Sequence, residues 1–154
     1  MTTPDVQQKE GARDYLVVTL ERQTCALPVE MVLEIRAVPV LGTERGWGDV
    51  RVGHMEVRGR RLPVVDLRRL AGLTPWRRRS EAAVLLVRSG EKRCGLLVDR
   101  VAEIIALRDS DIDAWAEAPG LDPSLVVGVA LRPEPVVVLD GPALLAACRD
   151  VNGA

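Results

Sequence analysis

Phenylalanine is absent from the 154 residues, and the aromatic complement is one Tyr and three Trp. An interior without aromatic bulk has to be aliphatic. Val, which occurs 23 times, supplies it, and β-branching at that density favours strands over helices. Histidine occurs once, as His54, which excludes His-based triads, two-histidine metal sites and H-E-x-x-H. The three cysteines, Cys25, Cys94 and Cys148, form no CxxC pair and no Cys/His cluster. Neither a zinc site nor a disulfide framework is expected of them. Cys25 and Cys94 sit inside apolar runs, where a small buried hydrophobe in a reducing compartment is the default.

Long apolar runs are also missing. The longest, Leu125 to Leu131, includes a Gly and is far too short to span a bilayer. The first fourteen residues are polar and contain no secretory core, so the cytoplasm is the expected location. Gly46-Trp47-Gly48 lacks the further Gly, the Lys and the helix that a phosphate-binding loop requires. No acid pair is singled out for proton transfer. An enzyme is the least supported class, and no cofactor or metal is expected.

The net charge of −1 excludes electrostatic capture of nucleic acid by the molecule as a whole. The charge is unevenly placed, however. Arg58, Arg60, Arg61, Arg68, Arg69 and Arg77 to Arg79 crowd one stretch, whereas Asp99 to Asp122 is acidic. Such asymmetry steers protein partners, although any single Arg reads as a solvated surface residue.

The chain repeats itself. Residues 14–35 lie over 83–104 without a gap, a shift of 69 that puts Cys25 on Cys94, Leu27 on Leu96, Val32 on Val101, Glu34 on Glu103 and Ile35 on Ile104. In each repeat two apolar runs flank a polar turn, the signal of a hairpin. The pairs are Tyr15–Leu20 with Cys25–Val29, and Val84–Val87 with Cys94–Val98. A third strand follows at Met31–Val38 or Arg100–Leu107, with alternate residues facing inward. Then comes a polar loop, at Leu41–Arg51 or at Asp109–Ser124, the latter with a helical turn near Ile112–Trp115. Two closing strands end each repeat, Val52–Val57 with Leu62–Val65, and Val126–Leu131 with Val136–Leu139. Asp66 and Asp140 then cap helical stretches.

Strands this short and evenly spaced suit small bent barrels. The expected fold is all-β, two packed five-stranded barrels with short helices, one of them C-terminal. The expected division is a disordered tail over 1–13, a first half over 14–72, a linker over 73–81 and a second half over 82–150.

Glu34 in the third strand and Arg58 at a hairpin turn are placed to pair across the barrel. A plainer role is compatible with this, Arg58 capping the hairpin and Gly59 supplying a positive φ. Trp47, in its Gly-rich loop, is the better candidate for an interface anchor; Trp115 reads as packing.

Val32-Leu-Glu-Ile-Arg36, Gly53-His-Met-Glu-Val-Arg-Gly-Arg-Arg-Leu-Pro-Val-Val-Asp-Leu-Arg68, Cys94-Gly-Leu-Leu-Val-Asp-Arg-Val101, Val126-Val-Gly-Val-Ala130 and Val136-Val-Val-Leu-Asp140 resemble the CheW-like domain of bacterial chemosensory systems. The resemblance covers about residues 14 to 149. It implies two SH3-like barrels around a shared core. It also implies a non-enzymatic scaffold linking chemoreceptor cytoplasmic tips to the regulatory domain of a CheA-type histidine kinase, with self-association in arrays left open. Carried over by position, Glu34 and Arg58 are the family's paired Glu and Arg near its partner-binding surface, and Gly59 shapes the turn. Val32, Gly53 and Gly95 match positions lining the strands and the groove between barrels where receptor tips dock. Glu56 stands where the family usually has an Asn, which puts a carboxylate beside Arg58. Two alternatives remain: a diverged scaffold that binds receptors but not kinase, and a small-barrel nucleic-acid binder using Arg58 to Arg79.

Overall fold

Eleven short strands account for most of the secondary structure of the computed structural model, which describes residues 11–37, 51–74, 81–118, 120–131 and 134–152. Most of the expected tail, the loop carrying Trp47 and the Arg77–Arg79 run lie outside these residues. The strands are β1 (Arg13–Leu20), β2 (Gln23–Pro28), β3 (Val32–Ala37), β4 (Arg51–Val57), β5 (Arg60–Asp66), β6 (Ala83–Ser89), β7 (Lys92–Val98), β8 (Arg100–Leu107), β9 (Ile112–Asp113), β10 (Val126–Ala130) and β11 (Val136–Leu139). Among the described residues two α-helices join them, α1 (Leu67–Leu70) and α2 (Gly141–Asn152). Each begins as the sequence suggests. Asp66 accepts from the Arg68 N–H at 3.0 Å, and Asp140 from the Ala143 N–H at 3.1 Å.

The strands form a six-stranded sheet in the order β8-β1-β2-β11-β10-β9 and a five-stranded sheet in the order β3-β6-β7-β5-β4. The sixth strand of the first sheet is the two-residue β9. It replaces the helical turn expected near Ile112–Trp115, because the 3₁₀ turn falls earlier, at Asp109–Asp111.

The two halves of the sequence are not the two halves in space. The β1–β2 hairpin of the first repeat lies in the sheet built otherwise from β8 to β11. The β6–β7 hairpin of the second repeat lies in the sheet of β3 to β5. The boundary expected between residues 72 and 82 therefore separates repeats, not sheets. The cause is local. After β2, Val29–Met31 makes a 3₁₀ turn that carries the chain out of its own sheet, and β3 pairs with β6 instead. The register keeps the repeat's symmetry, for Leu16 faces Ile104 across β1–β8 and Ile35 faces Leu85 across β3–β6.

Alternation along these strands sorts side chains into three cores. Val84 and Leu86 join Val52, Met55, Leu62 and Val64 in a cluster internal to the five-stranded sheet. Tyr15 and Val17 join Ala26, Val136 and Val138 in one internal to the other sheet. The intervening residues, Leu16, Val18, Leu20, Leu85, Val87 and Leu96 among them, meet in a shared core closed by Leu144 and Cys148 of α2. Each sheet thus buries one face against itself and the other against its neighbour, the arrangement of two small barrels side by side. Both hairpins are buried on both faces, which is why they read as nearly continuous apolar runs.

Candidate functional site

β3 carries no fully buried residue. Its alternation is present, but the face with Leu33 and Ile35 is open, at 50% and 47% exposure. The other face half-buries Val32, Glu34 and Arg36. The expected alternation therefore holds, but its inward face is only half-buried, because β3 is an edge strand of its sheet. On the half-buried face the Arg58 guanidinium donates from Nη2 to Glu34 Oε2 at 3.1 Å, and Arg36 Nε donates to Glu34 Oε1 at 3.1 Å. Desolvation opposes the charge on Glu34, but the hydrogen bonds from Arg58 and Arg36 outweigh it and hold the carboxyl below its usual range.

Arg58 and Gly59 form the two-residue turn between β4 and β5, with φ of 51° and 78°. Paired positive φ values mark the hairpin turn whose twist matches its strands. A non-Gly residue there costs about 1–2 kcal/mol, and the turn carries that cost at the residue that reaches Glu34. The ion pair and the turn-forming role thus coexist.

The other candidate positions separate. Val32 packs against the shared core and lines a groove with Leu16, Leu33, Ile35 and Ile104. Gly53 is buried in β4, at a bulge opposite Val64. Gly95 is buried in β7, where an added Cβ would lie 2.5 Å from Val84 Cγ1. That close approach makes Gly95 a packing position inside the five-stranded barrel, and neither glycine is among the groove's walls. Glu56 is exposed on β4 opposite Arg61. It makes no ion pair with Arg58, because the turn aims the guanidinium at Glu34 instead.

The groove has a volume of about 230 Å³ and is walled almost entirely by apolar side chains. Ile104, 59% exposed, closes it from β8. Ile35 and Ile104 occupy equivalent places in the two repeats, so the groove lies where the repeats meet. That equivalence was visible in the sequence; the exposure of both side chains was not.

A second open surface surrounds Trp115, which is 94% exposed rather than packed. Beside it a cavity of about 450 Å³ lies among Ala114, Ala116, Leu121, Pro123, Val126 and Val127. Asp109, Asp111, Asp113, Glu117 and Asp122 are exposed along the same segment, and residues 109–131 contain no Lys or Arg. Asp113 accepts from the Trp115 N–H at 2.9 Å, which fixes the turn beneath the indole.

The basic stretch is less uniform than its sequence suggests. Arg68 is buried, and its Nε donates to both carboxylate oxygens of Asp99, at 2.9 and 3.0 Å. Arg61 lies 3.1 Å from His54 Nδ1. Chemistry is sparse elsewhere. All three cysteines are buried and free. Burial pushes the Cys25 thiol up to about 12, and a hydrogen bond with Cys94 followed by burial raises Cys148; such thiols are poor nucleophiles. Among the described residues no cluster of His, Cys, Asp or Glu is arranged to hold a metal ion, and no helix is long and apolar enough to cross a membrane.

Residues 14–149 match the model of the CheW-like domain. The chain belongs to the CheW-like family. It is 27% identical over 135 residues to the chemotaxis protein CheW of Helicobacter pylori (strain ATCC 700392 / 26695), covering 86% of this chain and 81% of that one. Its fold is similar to that of the scaffolding protein TtCheW from Thermoanaerobacter tengcongensis, with a TM-score of 0.72, 20% identity and 84% coverage of both chains. Membership makes the chain a non-enzymatic adaptor of the chemotaxis type.

Proposed function

We propose that this CheW-like chain couples chemoreceptor cytoplasmic tips to the regulatory domain of a CheA-type histidine kinase. It would do so in the cytoplasm, recruited to receptor clusters. The observation that carries this reading is the presence of two open apolar surfaces with no lining residue in common, one between the two sheets and one at the β9–β10 edge of the six-stranded sheet. A scaffold needs two docking faces that do not compete. The groove of Val32, Leu33, Ile35 and Ile104 suits a helical tip laid between the barrels, with Glu34, Arg58 and Gly59 fixing register at its edge. The Trp115 surface, with a fully presented indole beside a cavity, has the form of a protein-binding anchor and is assigned to the kinase. Coupling would follow from holding both partners in one lattice, so that a shift in one alters the other's equilibrium.

Separate titrations against a purified receptor hairpin and a CheA regulatory domain test the proposal. Ile104→Glu is expected to weaken receptor binding by about tenfold or more and leave the kinase domain bound, and Trp115→Ala the reverse. Arg58→Glu is expected to weaken partner binding without loss of circular dichroism; an unfolded variant would reduce Arg58 to a hairpin residue. Binding to the receptor alone would establish the receptor-only scaffold, and binding to neither would overturn the proposal.

A further inference from the structure

The β4–β5 and β6–β7 turns bring cationic residues to one end of the five-stranded barrel, and this end adjoins the apolar groove at Leu33 and Glu34. Arg58, Arg60 and Arg93 stand around a cavity of about 240 Å³ floored by Val57, Leu62 and Leu86. These three floor residues belong to the barrel's own core, so the cavity is the barrel's mouth. The mouths of small barrels are recurrent ligand sites. Leu33 and Glu34 line both this mouth and the apolar groove, which makes the two continuous.

The charge at the mouth is not balanced from within. Glu34 already accepts from Arg58 and Arg36. Arg60 and Arg93 have no acidic partner among the described residues. Arg93 also stands directly opposite Arg88 in the β6–β7 ladder, and like charges so placed destabilise a sheet. An arrangement of this kind is relieved when an anion lies across it. Guanidinium forks match carboxylates two bonds at a time.

We infer that the mouth receives the carboxylates of an acidic partner segment whose apolar side chains lie in the adjoining groove. The inference rests on the reading of the groove as a docking surface and adds the charge of what docks there. The apolar floor and its continuity with the groove favour a protein segment over a small inorganic anion, which would leave the floor uncovered.

The test uses the full chain and two synthetic amphipathic helical peptides with the same leucine stripe, one flanked by glutamates and the other by lysines. The glutamate peptide is expected to bind about tenfold more tightly, with an affinity that falls as salt rises. R60E/R93E should abolish the preference and flatten the salt dependence, and R60K/R93K should retain most of both. R60Q/R93Q replaces the charge reversal if that variant does not fold by circular dichroism. Ile104→Glu should weaken both peptides alike. Equal affinity for the two peptides, no binding of either, or a preference that survives R60E/R93E would overturn the inference. The receptor-hairpin titration reports separately on coupling: if the hairpin fails to bind while the acidic preference holds, coupling falls and the acid-reading mouth stands.

Discussion

Arg68 illustrates how far a residue's role can depart from its neighbourhood in sequence. It lies within the basic stretch, yet it is buried against Asp99. The same carboxylate accepts from the Glu21 N–H at 2.6 Å, and the Asp99 N–H donates to Thr19 at 3.1 Å. Arg68 follows β5 in one sheet and Glu21 sits in the β1–β2 turn of the other, so one carboxylate ties both sheets together. Removing one member of a buried pair strands the other charge, which costs about 3–5 kcal/mol. Arg68→Ala should therefore lower the free energy of urea unfolding by that amount. Arg68→Met with Asp99→Leu should recover most of it, leaving a deficit of about 1–3 kcal/mol from the unsatisfied Glu21 N–H. A loss below 1 kcal/mol in the single variant would show that water reaches the site and replaces the guanidinium. Nothing in the sequence distinguished Arg68 from Arg69 beside it, because burial of a charge is decided by a contact between residues 31 positions apart.

At the scale of elements, hairpins were legible and faces were not. Two-residue turns such as Arg58-Gly59 announce themselves through residue type, and both helix starts through their Asp caps. Glu34 and Arg58 could be paired in advance because strand position and turn position sufficed. β3 was recognisable as a strand, but period-2 alternation does not say which face meets the core, and an edge position left the apolar face open. Trp115 was misread for a related reason, since an indole in a loop gives no local sign of whether another element covers it. The short strand β9 depends on Gly128. A Cβ there would lie 2.5 Å from the Asp113 carbonyl oxygen and 2.9 Å from Ala114 Cα. These are backbone atoms, so no rotamer change relieves the clash. Gly128→Ala should cost about 1–3 kcal/mol and remove hydrogen-exchange protection from β9, shifting the turn that presents Trp115. Unchanged protection in β9 would show that the strand can move aside. Gly95→Ala would meet Val84 Cγ1 at 2.5 Å, and because that valine is fully buried and β-branched it has little freedom to turn aside, so a comparable cost is expected.

The whole molecule is organised by its repeat. The 69-residue shift was visible in the sequence, and so was the presence of two barrels. The exchange of hairpins between them was not, because identical local grammar serves either pairing. The two barrels differ at their surfaces, one ending in a cationic mouth and the other bearing the acidic Trp115 segment, while the net charge stays near zero. The exchange has a consequence for any chain cut between the repeats. Fragments 11–74 and 81–152 would each hold the hairpin that completes the other's sheet. Each should melt without a cooperative transition alone, and an equimolar mixture should regain one; a fragment that melts cooperatively alone would show that the exchange is dispensable for folding. Where only the mixture melts cooperatively, the protein is an obligate heterodimer whose two subunits were born tethered, the tether supplying an effective concentration that a free pair would have to match in solution.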